Sequence, residues 1–323
     1  MMRYFSSIIT VVAMIMAISC TSSKNAQSDA RDEIYEGDRI IVPDTFVLPK
    51  IPGTLTNPDE RAKYLVSHYW ERFDFADNTL IQRPEITEQA FVDYINLLDY
   101  VTKEVADASF VYTLSKAQAD TAMYRHFVSL FEKYFYEPNS PFRNDEYYLK
   151  VLQETAGSPL LTDEIKSRYR FQLDMAMKNR IGQKANNINF TTVSGQTLRL
   201  YDLRSEYTLL MFTNPGCHAC EAVTSRLNMS KALNDALALN NQLRTMLTIL
   251  TVYPENDPDR WCDHLTELPG GWIHGYDKGM EINRERLYDI KAYPTLYLLD
   301  RNKRVILKDT SIEAIETFFS VKM

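Results

Sequence analysis

Two of the four cysteines in the chain, Cys217 and Cys220, are separated by two residues and follow the apolar run YTLLMFTN (207–214). Thiols at this spacing can form a redox-active disulfide, supply half of a metal site, or pack as small core residues. The run is typical of a strand that is buried on both faces, and Pro215-Gly216 turns the chain after it. We therefore expect Cys217 to begin a helix.

The first turn of a helix favours a thiolate. Its backbone N–H groups are unpaired and stabilise an anion, so we expect the pKa of Cys217 to fall below about 8.5, the value of a free thiol. Cys220 follows on the same helix face, close enough for a disulfide after a small adjustment. An exposed, acidic sulfur beside a deeper one is the arrangement that thiol–disulfide exchange requires.

The N-terminus indicates export. Arg3 precedes the apolar stretch 8–18, which is shorter than the about 20 residues of a membrane-spanning helix and is typical of a signal peptide. The sequence AISC then resembles the bacterial lipoprotein box. Residues 1–19 are thus predicted to be a lipoprotein signal peptide and Cys20 the lipidated residue, with an ordinary signal peptide as the alternative. The protein would lie in the cell envelope, lipid-anchored to a bacterial membrane and facing the periplasm, where disulfides can form.

Composition and patterning suggest two folded parts. The chain is 45% hydrophobic with a net charge of −7, which argues against nucleic-acid binding because that requires a basic face. Residues 20–58 are predicted to be a polar tether and a proline-rich lead-in. Residues 59–181 show helical spacing of apolar and aromatic side chains and predict a domain of about five helices. Residues 182–323 alternate strands and helices, which predicts a parallel core that ends in an antiparallel hairpin.

Residues 180–323 resemble the thioredoxin superfamily, in particular its tethered, extracytoplasmic thiol-disulfide oxidoreductases. The similarity rests on GQKANNINFTTVSGQTLRLYDL, YTLLMFTNPGCHAC, DRWCDHL and YPTLYLLDRNKRVIL. It implies a thioredoxin-like α/β fold, a central mixed sheet flanked by helices, after the all-α N-terminal domain. It also implies that Cys217 is the nucleophile, that Cys220 resolves the mixed disulfide, and that Pro294 is a cis-proline that aligns the substrate across the site.

The chain as a whole is similar to Bacteroidetes-type lipoproteins in which an uncharacterised helical domain precedes such a module. The segments RAKYLVSHYWERFDF, YFYEPNSPFRNDEYYLKVL and NRIGQKANN carry this likeness. The implied partners are thiols or disulfides of exported proteins and a membrane redox partner that resets the pair. No bound cofactor and no metal are expected, because the disulfide is itself the redox group.

Two positions depart from the oxidoreductase pattern. Gly216 stands where most relatives have tryptophan, and His218-Ala219 separates the cysteines. An imidazolium at His218 could stabilise the Cys217 thiolate and make the pair more oxidising, or the ring could simply point into water. The residues expected in the substrate groove, or in tuning the pair, are Gly216, His218, Ala219, Tyr293 and Trp261.

A zinc site remains an alternative. It would use Cys217, Cys220, Cys262 and His264. However, Cys262 and His264 are two positions apart on one predicted helix, and residues at that spacing do not face each other. Otherwise Cys262, beside Trp261, is predicted to be a small buried residue, with a third redox thiol as a further alternative.

Two other functions also remain open. A thiol peroxidase would carry threonine three residues before its reactive cysteine, where Asn214 stands here. A non-enzymatic envelope binding protein would use the pair as a structural disulfide, although closing so small a loop constrains the unfolded chain little.

Overall fold

The N-terminal part of the described chain is helical. The computed structural model describes residues 45–322, so the signal peptide, Cys20 and the tether up to residue 44 lie outside it. Within the described range, this part contains six α-helices where the sequence predicted about five: α1 (Pro58–His68), α2 (Thr87–Asn96), α3 (Lys103–Ala117), α4 (Thr121–Phe135), α5 (Asp145–Thr155) and α6 (Asp163–Ala176).

The helix that was not predicted, α3, carries polar side chains on its buried face. The Ser109 hydroxyl donates to the Val66 carbonyl over 3.0 Å and therefore accepts from the Tyr94 hydroxyl over 2.6 Å. Thr113 donates to the Ser109 carbonyl within the helix. Polar groups that are satisfied inside a core interrupt the apolar spacing by which a helix is found in a sequence.

Aromatic side chains form the core between these helices, as the sequence predicted. The Trp70 ring is 1% exposed and meets Phe127 edge to face, with centroids 5.0 Å apart. Phe46, from the proline-rich lead-in, stacks on Tyr69 at 5.0 Å and so fixes the start of the described chain. Within residues 45–322, no helix is both long and apolar enough to cross a membrane.

A mixed sheet forms the C-terminal part and confirms the predicted fold class. Its seven strands within the described residues run in the order β2-β1-β5-β4-β3-β6-β7, with β3 parallel to β4 and antiparallel to β6. The short strand β5 was not predicted. The strands are β1 (Asn189–Thr192), β2 (Thr197–Arg199), β3 (Ser205–Phe212), β4 (Thr245–Tyr253), β5 (Ile273–Tyr276), β6 (Thr295–Asp300) and β7 (Val305–Leu307).

Helices cover both faces of this sheet. Successive side chains of β3 point to opposite faces, so Met211 lies in one apolar core and Phe212 in the other. The first core also contains Cys220. Burial of this side chain holds the start of a helix against the sheet next to the end of β3. The helices of this part are α7 (His218–Met229), α8 (Lys231–Ala238), α9 (Pro258–His264), α10 (Glu281–Arg284) and α11 (Ile312–Lys322).

The helical part and the sheet belong to one compact unit. The domain boundary that the sequence predicted between residues 181 and 182 therefore stays a prediction.

Candidate active site

The paired cysteines lie where β3 gives way to α7. Gly216 makes the turn with φ +76°, a backbone conformation that glycine adopts freely and other residues do not. Cys217 follows in an extended conformation as the N-terminal cap of α7. Because of this turn, the tryptophan expected from the resemblance would be strained at position 216.

Cys217 and Cys220 are joined by a disulfide, with their Cα atoms 5.2 Å apart. Cys217 is half-buried, whereas Cys220 is 2% exposed and packs in the core. The backbone N–H of Cys220 donates to Sγ of Cys217 over 3.2 Å. The site thus pairs an accessible sulfur at a helix start with a buried one, and a donor already faces the accessible sulfur.

The segment around Pro294 lies against the same sulfur. The Tyr293–Pro294 peptide bond is cis, which is the geometry that the resemblance implied. The carbonyl oxygen of Tyr293 is 3.7 Å from Sγ of Cys217. Burial, and to a lesser extent Glu255 and Tyr253, raise the pKa of the Tyr293 hydroxyl to about 12, so this hydroxyl is a neutral hydrogen-bonding group at physiological pH.

The other residues expected at the groove lie in different surroundings. The His218 side chain is 98% exposed, with Nδ1 3.3 Å from Oε2 of Glu221, so its ring points into water; Ala219 is also exposed. Trp261, in contrast, is 3% exposed and packs on Tyr276 with ring centroids 5.0 Å apart. Trp261 therefore anchors α9 to the sheet and does not line a surface groove.

Arg260, which was not singled out from the sequence, contacts the loop that carries the cysteines. Its Nη2 atom donates to the carbonyl of Pro215 over 2.7 Å, two residues before Cys217. Arg260 is placed there because Asp257 caps α9 and Pro258 occupies its first turn. A fixed positive charge beside the loop favours a thiolate. In the sequence alone, Arg260 is indistinguishable from a solvated surface residue.

The prediction for Cys262 was wrong, because this thiol is exposed. On a helix, consecutive residues point about 100° apart, so α9 buries Trp261 and turns the next residue outward. His264 is buried, with Nδ1 2.9 Å from Oε2 of Glu267. Within residues 45–322, no group of three or more His, Cys, Asp or Glu side chains is arranged to hold a metal ion.

Comparisons with known proteins identify the family. Residues 19–179 match a family model described as a domain of unknown function, DUF5106, and none of the curated proteins compared with the chain matches it. A crystal structure of a thioredoxin-like protein from Bacteroides caccae is 41% identical, covers 87% of this chain and 100% of its own, and superposes with a TM-score of 0.83. The chain belongs to the thioredoxin-like proteins.

Two further solved structures match less than half of this thioredoxin-like protein. The C-terminal domain of an uncharacterized protein from Bacteroides fragilis is 41% identical over 44% of this chain and 98% of its own, with a TM-score of 0.42. A domain of a possible thiol-disulfide isomerase from Cytophaga hutchinsonii is 27% identical over 45% of this chain and 95% of its own, with a TM-score of 0.37.

Proposed function

We propose that this thioredoxin-like protein is a thiol-disulfide oxidoreductase that exchanges disulfides with exported proteins. The Cys217–Cys220 pair carries the proposal. Its accessible sulfur caps a helix, its second sulfur is buried, and the Tyr293 carbonyl lies 3.7 Å from the first. A disulfide across so short a loop contributes little to stability, so redox chemistry is the better account of it.

The exchange transfers two electrons in two displacements. The Cys217 thiolate attacks one sulfur of a client disulfide, the client S–S bond breaks, and the leaving sulfur takes a proton from water. The Cys220 thiolate then attacks Sγ of Cys217, which releases the second client thiol and forms the intramolecular disulfide. A dithiol on a membrane partner returns the pair to its reduced form. The same steps in reverse oxidise a client.

The backbone next to Pro294 would bind the client. Backbone groups that are not paired within a sheet can bind an extended peptide, and the Tyr293 carbonyl, in the loop before β6, already lies beside the reactive sulfur. The side chains of His218 and Ala219 would border the client from the helix side, since both are exposed.

The envelope location is part of the proposal. Signal-peptide cleavage and lipidation at Cys20 would tether the chain to a membrane on its periplasmic side, within reach of exported proteins and of the redox partner. The pair needs no bound cofactor for this exchange.

The reduction potential of the pair tests the proposal. The full chain in detergent is equilibrated with glutathione buffers, and its thiols are counted by mass after alkylation. We expect a reversible potential between about −270 and −120 mV, the range from reductants to oxidants in this chemistry. Cys217→Ser and Cys220→Ser should abolish turnover of a protein disulfide such as insulin, while Cys262→Ser, at an exposed thiol, should not.

Two results would overturn the proposal. Turnover that persists in Cys217→Ser would assign the activity to another group. A pair that cannot be reduced until the protein unfolds would make the disulfide structural and favour a binding lipoprotein instead.

A further inference from the structure

A buried ionic network forms the seam between the helical part and the sheet. Asp145, the first residue of α5, lies with Oδ1 2.5 Å from Nζ of Lys291 and with Oδ2 3.0 Å from Nζ of Lys308. The three side chains are 9%, 4% and 3% exposed, respectively. Arg143 lies 3.1 Å from Asp309 in the same network. Ionised groups this deeply buried persist only when they are paired.

Lys291 belongs to the segment 286–294, which leads directly to Pro294. Other residues of the helical part and of the linker after it also hold this segment. Lys178 donates to the Arg286 carbonyl, and Asn179 to the Leu287 carbonyl, both over 2.8 Å. These bonds hold the beginning of the segment, whereas Asp145 holds it at Lys291, three residues before Pro294.

The contact between the two parts is weakly packed around this ion pair. One cavity of about 440 Å³ is lined by Arg143, Asp145, Lys308 and their neighbours. A second, of about 470 Å³, is lined by Tyr136, Ile290, Lys291 and others. Tyr288 holds the middle of the segment, because its buried ring packs in the sheet core and its hydroxyl donates to the Asn186 carbonyl over 2.7 Å. After Tyr288, Lys291 pairs with Asp289 of the segment itself over 3.5 Å and with Asp145 over 2.5 Å, so Asp145 ties this end of the segment to the helical part.

We propose that Asp145 is a positioning residue for thiol exchange. Through Lys291 it fixes the end of the segment 286–294, and thereby the position of the Tyr293 carbonyl and Pro294 opposite Cys217. This inference rests on the proposed function, and it gives the helical part a role, because helix α5 then aligns the client-binding edge of the redox site. A segment that is free to move would bind a client more weakly and leave the thiol chemistry intact.

Hydrogen exchange tests the restraint directly. Two seam variants remove it: Asp145→Asn keeps the shape of the side chain without its charge, and Lys291→Met removes the other partner. The matched control is Glu146→Gln on the same helix, because Glu146 pairs with Arg180, 2.6 Å away and outside the segment. We expect amides after Tyr288, in residues 289–294, to exchange at least about tenfold faster in both seam variants, with the control and strand β4 as in wild type.

Kinetics test the consequence for exchange. With insulin as substrate, Asp145→Asn should raise KM about fivefold or more with kcat within about twofold, because the lost interaction serves client binding. Alkylation of reduced Cys217 should keep its wild-type rate and pH profile. Asp145→Glu, which retains the charge, should recover most of the wild-type KM.

Specific outcomes would overturn the inference. The first is hydrogen exchange of the segment that is unchanged in both folded seam variants, and the second is an equally large acceleration in the Glu146→Gln control. The third is failure of both seam variants to fold, which would mean that the ion pair supports the whole fold. A fall in kcat together with slower alkylation would place Asp145 in the thiol chemistry instead. If wild type does not turn over insulin, the proposed function fails, and the exchange data still decide whether Asp145 restrains the segment.

Discussion

The backbone N–H of Cys220 points at Sγ of Cys217 over a distance of 3.2 Å. In the reduced protein the same donor meets the free thiolate, and hydrogen bonding to an ionised group lowers its pKa. The start of α7 and the Arg260 guanidinium, which donates to the neighbouring Pro215 carbonyl, act in the same direction. The first turn of α7, which includes the Cys220 N–H, and the Arg260 guanidinium thus both favour ionisation of a single sulfur.

The reduced protein should therefore be alkylated first at Cys217. We expect the pKa of Cys217 below about 8.5, whereas Cys220, buried in the core, should react slowly at any pH below that. Iodoacetamide labelling as a function of pH, read by peptide mass, measures this. Cys262 is an internal control because it is an exposed thiol. The prediction would be contradicted if Cys217 began to react only at the pH at which Cys262 begins to react.

Arg260 should contribute to that reactivity. Arg260→Met removes the charge and the bond to the Pro215 carbonyl, so we expect labelling of Cys217 at pH 7 to slow about threefold, which corresponds to a pKa change of about half a unit. Arg260→Lys keeps the charge and should recover part of the rate. Equal rates in the wild type and Arg260→Met would mean that this guanidinium is only a surface group.

Gly216→Ala should disturb the active-site turn. The φ of +76° at this position strains any side chain by about 1–2 kcal/mol. We expect the free energy of unfolding in urea to fall by that amount and insulin turnover to fall with it. Gly270→Ala is the matched control, because Gly270 has ordinary φ and open space around its Cα. Equal effects of the two substitutions would rule out backbone strain as the cause.

Ser109→Ala should destabilise the helical part. The substitution removes the partner of the buried Tyr94 hydroxyl and a donor to the Val66 carbonyl, and unsatisfied buried groups cost about 1–3 kcal/mol. The control is Ser115→Ala, at an exposed position of α3. In a double-mutant cycle with Tyr94→Phe, we expect a coupling above about 0.5 kcal/mol. Equal unfolding midpoints for the two serine variants would contradict this account.

Lys303 should make stability rise with pH above 8. Its side chain is 2% exposed and donates to Oγ1 of Thr208, and burial lowers its pKa to about 8. Below that pH the folded state bears a desolvated charge. Above it the folded state releases the proton, while the unfolded chain holds it until about pH 10.4. The unfolded state then binds more protons, so the free energy of unfolding rises, by about 2 kcal/mol between pH 8 and 9.5.

Urea unfolding of the wild type and of Lys303→Met across this range checks the sign. The rise should vanish in Lys303→Met and remain in Lys322→Met, at an exposed lysine near the C-terminus. The window closes near pH 10, because burial raises the pKa of tyrosines such as Tyr288 and the unfolded chain ionises first. A fall in wild-type stability between pH 8 and 9.5 would contradict the prediction.

Local patterns were enough to predict the centre of the site. The strand, the turn and the helix start follow one another in a continuous stretch. The apolar run indicates β3, Pro215-Gly216 indicates the turn, and the cysteine pair indicates the start of α7, so both elements were expected where they lie. Strand β5 left no such pattern. It has four residues and includes Gly275, where an added Cβ would lie 2.6 Å from the Phe190 ring. Close approach of two strands depends on contacts that are distant in the sequence.

The positioning network could not be predicted for the same reason. Asp145 and Lys291 are 146 positions apart in the chain, and each one by itself looks like a solvated charge. Asp145 reads as an acidic residue of a helix N-terminus, which it also is. Only the packing of the two parts makes the pair buried. Cys262 was misjudged on a smaller scale, because α9 is too short to show which of its faces is covered.

The ionic character of the seam also bears on how the chain assembles as it is made. The N-terminal part is synthesised first and exists for a time without the sheet. Its face of the seam presents Arg143 and Asp145, which water hydrates well, whereas an apolar face would attract other unfinished chains. This face can therefore stay hydrated until the sheet forms. The completed sheet then pairs Asp145 with Lys291 and Lys308, which offsets the cost of removing these charges from water.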